Sequence, residues 1–243
     1  LEVQVGLDWR TAGIEHAREV RDLLGGDYFV NKSNKNNTTP ESQMKRLGDI
    51  IAYHNSTTVD WLGGFVQGKY TKDKINLYGM GGLSSIKYSY QDHFTVANEV
   101  VKADAISTFQ VKGGIMYDVD DNVSVFANTG YVEKPPIMDN VIYYDGTVAS
   151  DPLNESFIST EAGVNFKSEN FAVKANVYNT DWKDRNLTKA VTTGQGSSGD
   201  TDVIFLKGIG QKHQGLEVEG SMKLNDMVRL DGAVSFGNWK FDG

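Results

Sequence analysis

The feature that most constrains this chain is a two-residue alternation of apolar and polar side chains that recurs in long segments. Phe109, Val111, Ile115, Tyr117 and Val119 share one face while Gln110, Lys112 and Asp118 take the other. Val123, Val125, Ala127 and Tyr131 continue the rule, and Ala162, Val164 and Phe166 oppose Glu161, Asn165 and Lys167. Phe171, Val173, Ala175 and Val177 oppose Lys174 and Asn176. In the last hairpin Leu216, Val218, Met222 and Leu224 oppose Glu217, Glu219 and Lys223, and Val228, Leu230, Val234 and Phe236 oppose Arg229, Asp231 and Ser235.

Four short polar turns separate such segments: Thr71 to Lys74, Asp120 to Asn122, Ser168 to Asn170, and Asn225-Asp226. Their centres are 121 − 73 = 48, 169 − 121 = 48 and 226 − 169 = 57 residues apart, so the repeating unit is a hairpin plus a long connection. The long connections are rich in Gly, Asn and Ser and run from Thr11 to about Leu47, Asp92 to Ile106, Glu133 to Glu155, and Asp184 to Lys212. Connections of that length are unusual in a compact domain. The pattern predicts about nine strands, the first from Val3 to Arg10. In the first connection Ile14, Ala17, Val20 and Leu24 fall at helical spacing before Gly25-Gly26, which predicts a helical turn or two.

Charged residues on the polar face (Lys112, Asp118, Glu161, Lys167, Lys174, Glu217, Glu219, Arg229 and Asp231) need water on that side. A β-sandwich with polar outer faces satisfies this as well as a barrel does. Strand length favours the barrel. Ile75 to Tyr90 runs about 15 residues without a turn signal, against about 5 to 6 in an ordinary strand. The expected architecture is therefore all-β: an antiparallel up-and-down transmembrane β-barrel, partial, with short periplasmic turns and long extracellular loops. Tyr70, Tyr88, Tyr90, Tyr117, Tyr131, Trp182, Phe236 and Trp239 lie near strand ends, where interfacial girdles form.

Composition is compatible with this reading. A mean hydropathy of −0.40 with 39% hydrophobic residues is what alternating strands and polar loops produce. The longest apolar stretches are far too short for a spanning helix. The net charge of −8, with no basic cluster interleaved with aromatics, is the opposite of a nucleic-acid footprint. The chain has no cysteine and opens without a signal peptide, so an export signal is expected outside it.

Chemistry-bearing motifs are weak. Gly194 to Gly199 spells G-x-G-x-x-G but follows no clear strand and opens no helix, so it reads as a loop. Asp118 to Asn122 lacks the Gly and Glu of a calcium loop and reads as a hairpin turn. His16, His54, His93 and His213 are dispersed, which gives no metal site. Glu217 and Glu219 share a face, yet that face is charged throughout and reads as solvated. No Gly-x-Ser-x-Gly elbow and no cofactor signature occurs, and the chain is not expected to be an enzyme.

Several segments carry a family likeness. Val125 to Asn140, with its Lys134-Pro135-Pro136, resembles the strand and Pro-containing loop of TonB-dependent outer-membrane receptors. Ser159-Thr160-Glu161-Ala162-Gly163-Val164-Asn165-Phe166, Asn179-Thr180-Asp181-Trp182-Lys183-Asp184-Arg185 and Gly215-Leu216-Glu217-Val218-Glu219-Gly220 are similar to later strands of that family, in the family's order. Gly6 to Arg10 and Arg18 to Phe29 resemble its Bacteroidetes-type branch. The resemblance implies a barrel of about 22 strands around an N-terminal plug, with uptake energised by the inner-membrane TonB complex. Residues 1–243 are then a barrel segment, with the plug and the terminal strands expected outside it.

The implied partners are outer-membrane lipid, the TonB complex through the plug, a small nutrient ligand such as a siderophore or glycan, and a surface lipoprotein. Nucleic acid is not among them. Ligand contacts are expected from loops and the upper lumen. The candidates are Arg10, Asp139, Asn140, Tyr143, Tyr144, Trp182 and Arg185, aromatics beside polar groups that suit flat or sugar-like ligands. Two rivals stand beside this reading: a soluble β-sandwich binding module and a passive outer-membrane channel.

Overall fold

The computed structural model describes residues 1–32, 37–93, 99–193 and 200–242. Its strands are β1 (Glu2–Glu19), β2 (Phe29–Val30), β3 (Met44–Lys45), β4 (Ile50–Lys72), β5 (Ile75–Asp92), β6 (Val100–Lys102), β7 (Ile106–Asp118), β8 (Val123–Lys134), β9 (Glu155–Lys167), β10 (Phe171–Thr193), β11 (Asp200–Lys223) and β12 (Arg229–Asp242). One open antiparallel sheet takes the order β1-β4-β5-β7-β8-β9-β10-β11-β12, nine strands in sequence order with β6 added on β5, and β2 pairs β3 separately. This is the up-and-down layout expected. Each of the four sequence-derived turns closes a hairpin, with Asp73 in the positive-φ conformation that a tight turn needs.

Register sorts the side chains cleanly. One row across the sheet is Lys69, Tyr78, Gly114, Asn128, Glu161, Tyr178, Gly215 and Gly237, each the ladder partner of the next. Because successive residues alternate faces, Lys112, Asp118, Lys174, Glu217, Arg229 and Asp231 lie on the same side as that row. The opposite side carries Val3, Val5, Leu7, Leu62, Val66, Leu77, Leu83, Val111, Ile115, Val125, Val164, Val177, Leu216, Val218, Leu230 and Val234, all exposed. Among the described residues the strands make extended contact only with ladder neighbours, so no second sheet covers these side chains. That excludes the sandwich, whose apolar face would be packed away.

Glycines reveal which face is concave. On the polar face, an added Cβ would come within 2.2 Å of Asn128 at Gly114, within 2.5 Å of the Ala175 carbonyl at Gly163 and within 2.6 Å of the Tyr178 ring at Gly215. On the apolar face Gly81 and Gly232 have nothing within 4 Å. Side chains therefore converge on the polar side and splay on the apolar one. Tyr78 Oη reaches across Gly114 to donate to Asn128 Oδ1 at 3.2 Å, and Trp239 Nε1 reaches across Gly215 to Tyr178 Oη at 3.2 Å.

The outer band has a height that can be checked. Tyr117 stands near the turn end of β7, and Phe109 stacks on Tyr131 (centroids 5.0 Å apart) toward its other end. The separation along β7 is 117 − 109 = 8 residues, or about 26 Å along the strand at about 3.3 Å per residue, which the usual tilt of about 40° reduces to about 20 Å of height, most of an apolar band about 25 Å tall.

Three sequence expectations need correction. The first strand does not end at Arg10: β1 continues through Thr11 to Glu19 against β4, so Ile14 and Ala17 are strand residues and no helix forms there. The α-helical turn sits instead at Pro40–Gln43, capped by the Thr39 side chain, which accepts from Ser42 N. Likewise 184–193 and 200–212 are not loop but the outer reaches of β10 and β11; the Gly194 to Gly199 motif lies outside the described residues. Finally, Tyr88, Tyr90, Trp182 and Trp239 belong to the inner face by register, so they are not girdle residues, whereas Tyr70, Tyr117, Tyr131 and Phe236 do face outward.

Candidate functional site at the inner mouth

Trp182 and Arg185 come together at the long-loop end of the inner face. The ladder between β10 and β11 is irregular from Trp182 to Leu187, and Asp184 has a φ of 54° within that bulge. The bulge turns Arg185 back over the indole, its guanidinium carbon 4.3 Å from the Trp182 ring centroid, while Arg185 Nη1 donates to Gln211 Oε1 at 2.6 Å. Such stacking is attractive because the ring face carries negative charge.

Beneath the pair lies Glu155, with its side chain only 5% exposed. Its Oε2 accepts from Trp182 Nε1 and from Lys134 Nζ, each at 3.1 Å, and its Oε1 accepts from the Asn186 backbone N–H at 3.2 Å. A buried carboxylate needs this many donors to offset its lost hydration. Around it, Phe157 lies 4.7 Å from Trp182, His213 lies 6.4 Å from Trp182, and Trp239 lies 6.1 Å from His213. The result is a row of ring faces with two cations, Arg185 and Lys134, and one neutralising carboxylate.

The other candidates do not join this group. Asp139 and Asn140 lie in a 3-10 turn (Met138–Asn140), and Tyr143 and Tyr144 follow it in the loop of residues 135–154. Tyr144 Oη donates to Asp139 Oδ2 at 3.1 Å. Burial, with help from the Asp139 charge and this hydrogen bond, raises the Tyr144 phenol above its ordinary value. Hydrogen bonds from Thr147 lower the Asp145 carboxyl. Asn140 is buried, and its Oδ1 has no hydrogen-bond partner among the described residues. Arg10 lies on the inner side of the border strand β1, exposed and paired with Asp8 through two hydrogen bonds.

Sequence reasoning missed Glu155, Lys134, Gln211 and His213. No local signal marks them, because register across β8, β9, β10 and β11 is what gathers them. Among the described residues no three His, Asp or Glu side chains are grouped to hold a metal ion.

A curved antiparallel wall with a bare apolar outside, a charged inside and loops at one end defines a transmembrane β-barrel segment. The sequence matches the family described as TonB dependent receptor-like, beta-barrel, over residues 1–243, and the chain belongs to that family. Its place is the bacterial outer membrane, and the family is one of transport receptors rather than enzymes. No curated protein matches the sequence.

Solved structures agree on the fold. The ferric-catecholate import receptor Fiu of E. coli K12 is similar with a TM-score of 0.65 at 12% identity, covering 99% of this chain and 35% of that one. The F5-1 variant of the FrpB iron transporter from Neisseria meningitidis gives 0.58 at 15% identity, covering 98% and 34%. The alcaligin receptor FauA from Bordetella pertussis gives 0.55 at 14%, covering 77% and 31%. The chain thus spans about a third of the length of these receptors.

Proposed function

We propose that this chain is the wall of an active-transport receptor that captures a small extracellular nutrient at the inner mouth and passes it inward in a TonB-energised step. The observation that carries the reading is the ring-and-cation row of Trp182, Arg185, Lys134, Phe157 and His213 on the water-facing side of the wall. Ring faces beside cations suit a ligand with flat or sugar rings and exposed oxygens, such as a siderophore or a glycan. Fiu, FauA and the PirA siderophore receptor of Pseudomonas aeruginosa, all similar in fold, are named for catecholate, alcaligin and siderophore ligands, which favours a siderophore.

On this reading the plug and the strands that close the barrel come from outside residues 1–243, and the plug meets the TonB complex. The apolar band meets outer-membrane lipid, and a surface lipoprotein is a further candidate partner at the loops. A passive channel remains the second reading, and energy dependence separates the two.

The test uses the complete receptor in its host. Cells are supplied with radiolabelled ferric siderophores and oligosaccharides, with and without a working TonB. Uptake of one of them should require both receptor and TonB. Trp182→Ala should raise the concentration needed for half-maximal uptake by about tenfold, as expected for loss of one stacking contact of about 1.4 kcal/mol. Uptake indifferent to TonB would favour the passive channel, and normal uptake by the Trp182→Ala receptor would remove the site.

A further inference from the structure

Residues 135–154 leave β8 on one side and return to β9 beside it, yet they do not stand out from the sheet end. The segment crosses β7 and lies on the inner side of β5 and β4, where Val141 and Ile142 pack with Ile86, Tyr88 and Tyr90 and against Val59, Trp61 and Ile106. Val141 and Ile142 are each 1% exposed, more buried than any apolar wall residue described. Tyr88 Oη donates to the Pro136 carbonyl at 2.9 Å, and Asn154 Nδ2 donates to the Ser107 carbonyl at 2.8 Å, so the segment is fastened near both ends. Internally it is cross-linked as well. Ile142 bridges Val148, Ala149 N donates to the Val141 carbonyl at 2.8 Å, and Tyr143 N donates to the Thr147 carbonyl at 2.9 Å.

We propose that residues 135–154 are a fixed constriction of the lumen: a loop folded inward and fastened by Val141 and Ile142, which sets the width of the path to the wall beneath it. A lid that swings over a ligand would keep polar side chains toward the wall; this one buries its most apolar pair there. Residues below it by register, such as Gln110 on the inner face of β7, are reached from the loop end past this element. The inference rests on the inner face being a lumen, though not on what the receptor carries.

Cysteine accessibility tests it in the complete receptor in outer membranes, with no cysteine background from this chain. Val141→Cys and Ile142→Cys should react with a small impermeant maleimide about tenfold or more slowly than Tyr144→Cys, because reaction at the first two needs local opening. Val141→Cys is close to isosteric, and heat-dependent gel mobility confirms that each variant is folded. Adding Ile142→Asp, a buried charge with no partner, should release the loop and bring Val141→Cys up to the Tyr144→Cys rate. In the same series Gln110→Cys should accept a small thiosulfonate readily but a polymer-bulked maleimide only in the Ile142→Asp background. Equal labelling at 141, 142 and 144, or unrestricted polymer access to 110 with the loop intact, overturns the constriction. Neither result depends on uptake, so failure of the transport reading would leave this labelling pattern in place.

Discussion

Gly163 and Gly215 show what curvature demands of single residues. On the crowded inner face a Cβ at residue 163 would meet the Ala175 carbonyl at 2.5 Å and Phe126 Cζ at 2.6 Å, and one at residue 215 would meet the Phe236 carbonyl at 2.7 Å. Gly163→Ala is therefore expected to lose about 1 to 3 kcal/mol, as overpacked sites do. Gly232→Ala has open space on the outer face and should be neutral or slightly stabilising. Urea titration of the receptor refolded in micelles measures both. Tyr144 supplies a second residue-scale test. Its phenol is raised in the folded loop, chiefly by burial and then by Asp139, so the neutral form is favoured there. The stability it contributes is complete below the ordinary tyrosine value of about 10. It is lost as pH climbs through the raised value, where phenolate and Asp139 repel. Hydrogen exchange of residues 135–154 should accelerate above that range, and Tyr144→Phe should reduce the alkaline step.

Within the apolar band each strand divides lipid from water, and the two sides of the β11–β12 hairpin allow a matched comparison. Val218→Arg and Leu230→Arg place a charge on the outer face toward the turn end of the band, and each should cost about 1 kcal/mol or more, rising toward about 2 to 4 kcal/mol with depth, so Val218→Arg costs more than Leu230→Arg. Ser235→Arg places it on the inner face opposite Glu217, its ladder partner, and should be nearly neutral. Folding yield in lipid vesicles, read by heat-dependent gel mobility, distinguishes them. The same two-sidedness explains which elements could be read in the sequence. Where one face meets an apolar medium and the other meets water, alternation is enforced, and the hairpins around Asp73, Asp121, Glu169 and Asp226 were legible with their faces. Beyond the band both faces are wet and alternation is no longer selected. Thr11 to Glu19, which pairs along β4 as strand, therefore carries chance helical spacing at Ile14 and Ala17. The outer parts of β10 and β11 were hidden for the same reason. At the site, Trp182 and Arg185 were visible as a nearby ring and cation, but Glu155, which Trp182 shares with Lys134, depends on the register of three strands.

At the scale of the whole molecule, the main sheet is a bent wall whose two surfaces belong to different solvents. Its outer surface displays apolar side chains from every main strand with no other element among the described residues packed on them, an arrangement that water disfavours by about 25 cal/mol per Å² and lipid tolerates. Its inner surface holds Glu161, Lys174 and Glu217 with partners that include Asn128 and Asn176, an arrangement suited to a wet lumen. The most direct measurement is a cysteine scan of the complete receptor in membranes, along Phe109 to Tyr117 and Leu216 to Met222, with a fluorophore at each position and two quenchers, one dissolved in lipid and one in water. Lipid quenching should peak at positions 109, 111, 115, 117, 216, 218 and 222, and aqueous quenching at 110, 112, 116, 217, 219 and 221, in strict alternation. A uniform response to either quencher, or lipid quenching at the charged positions, would contradict the assignment of this chain as a membrane barrel wall.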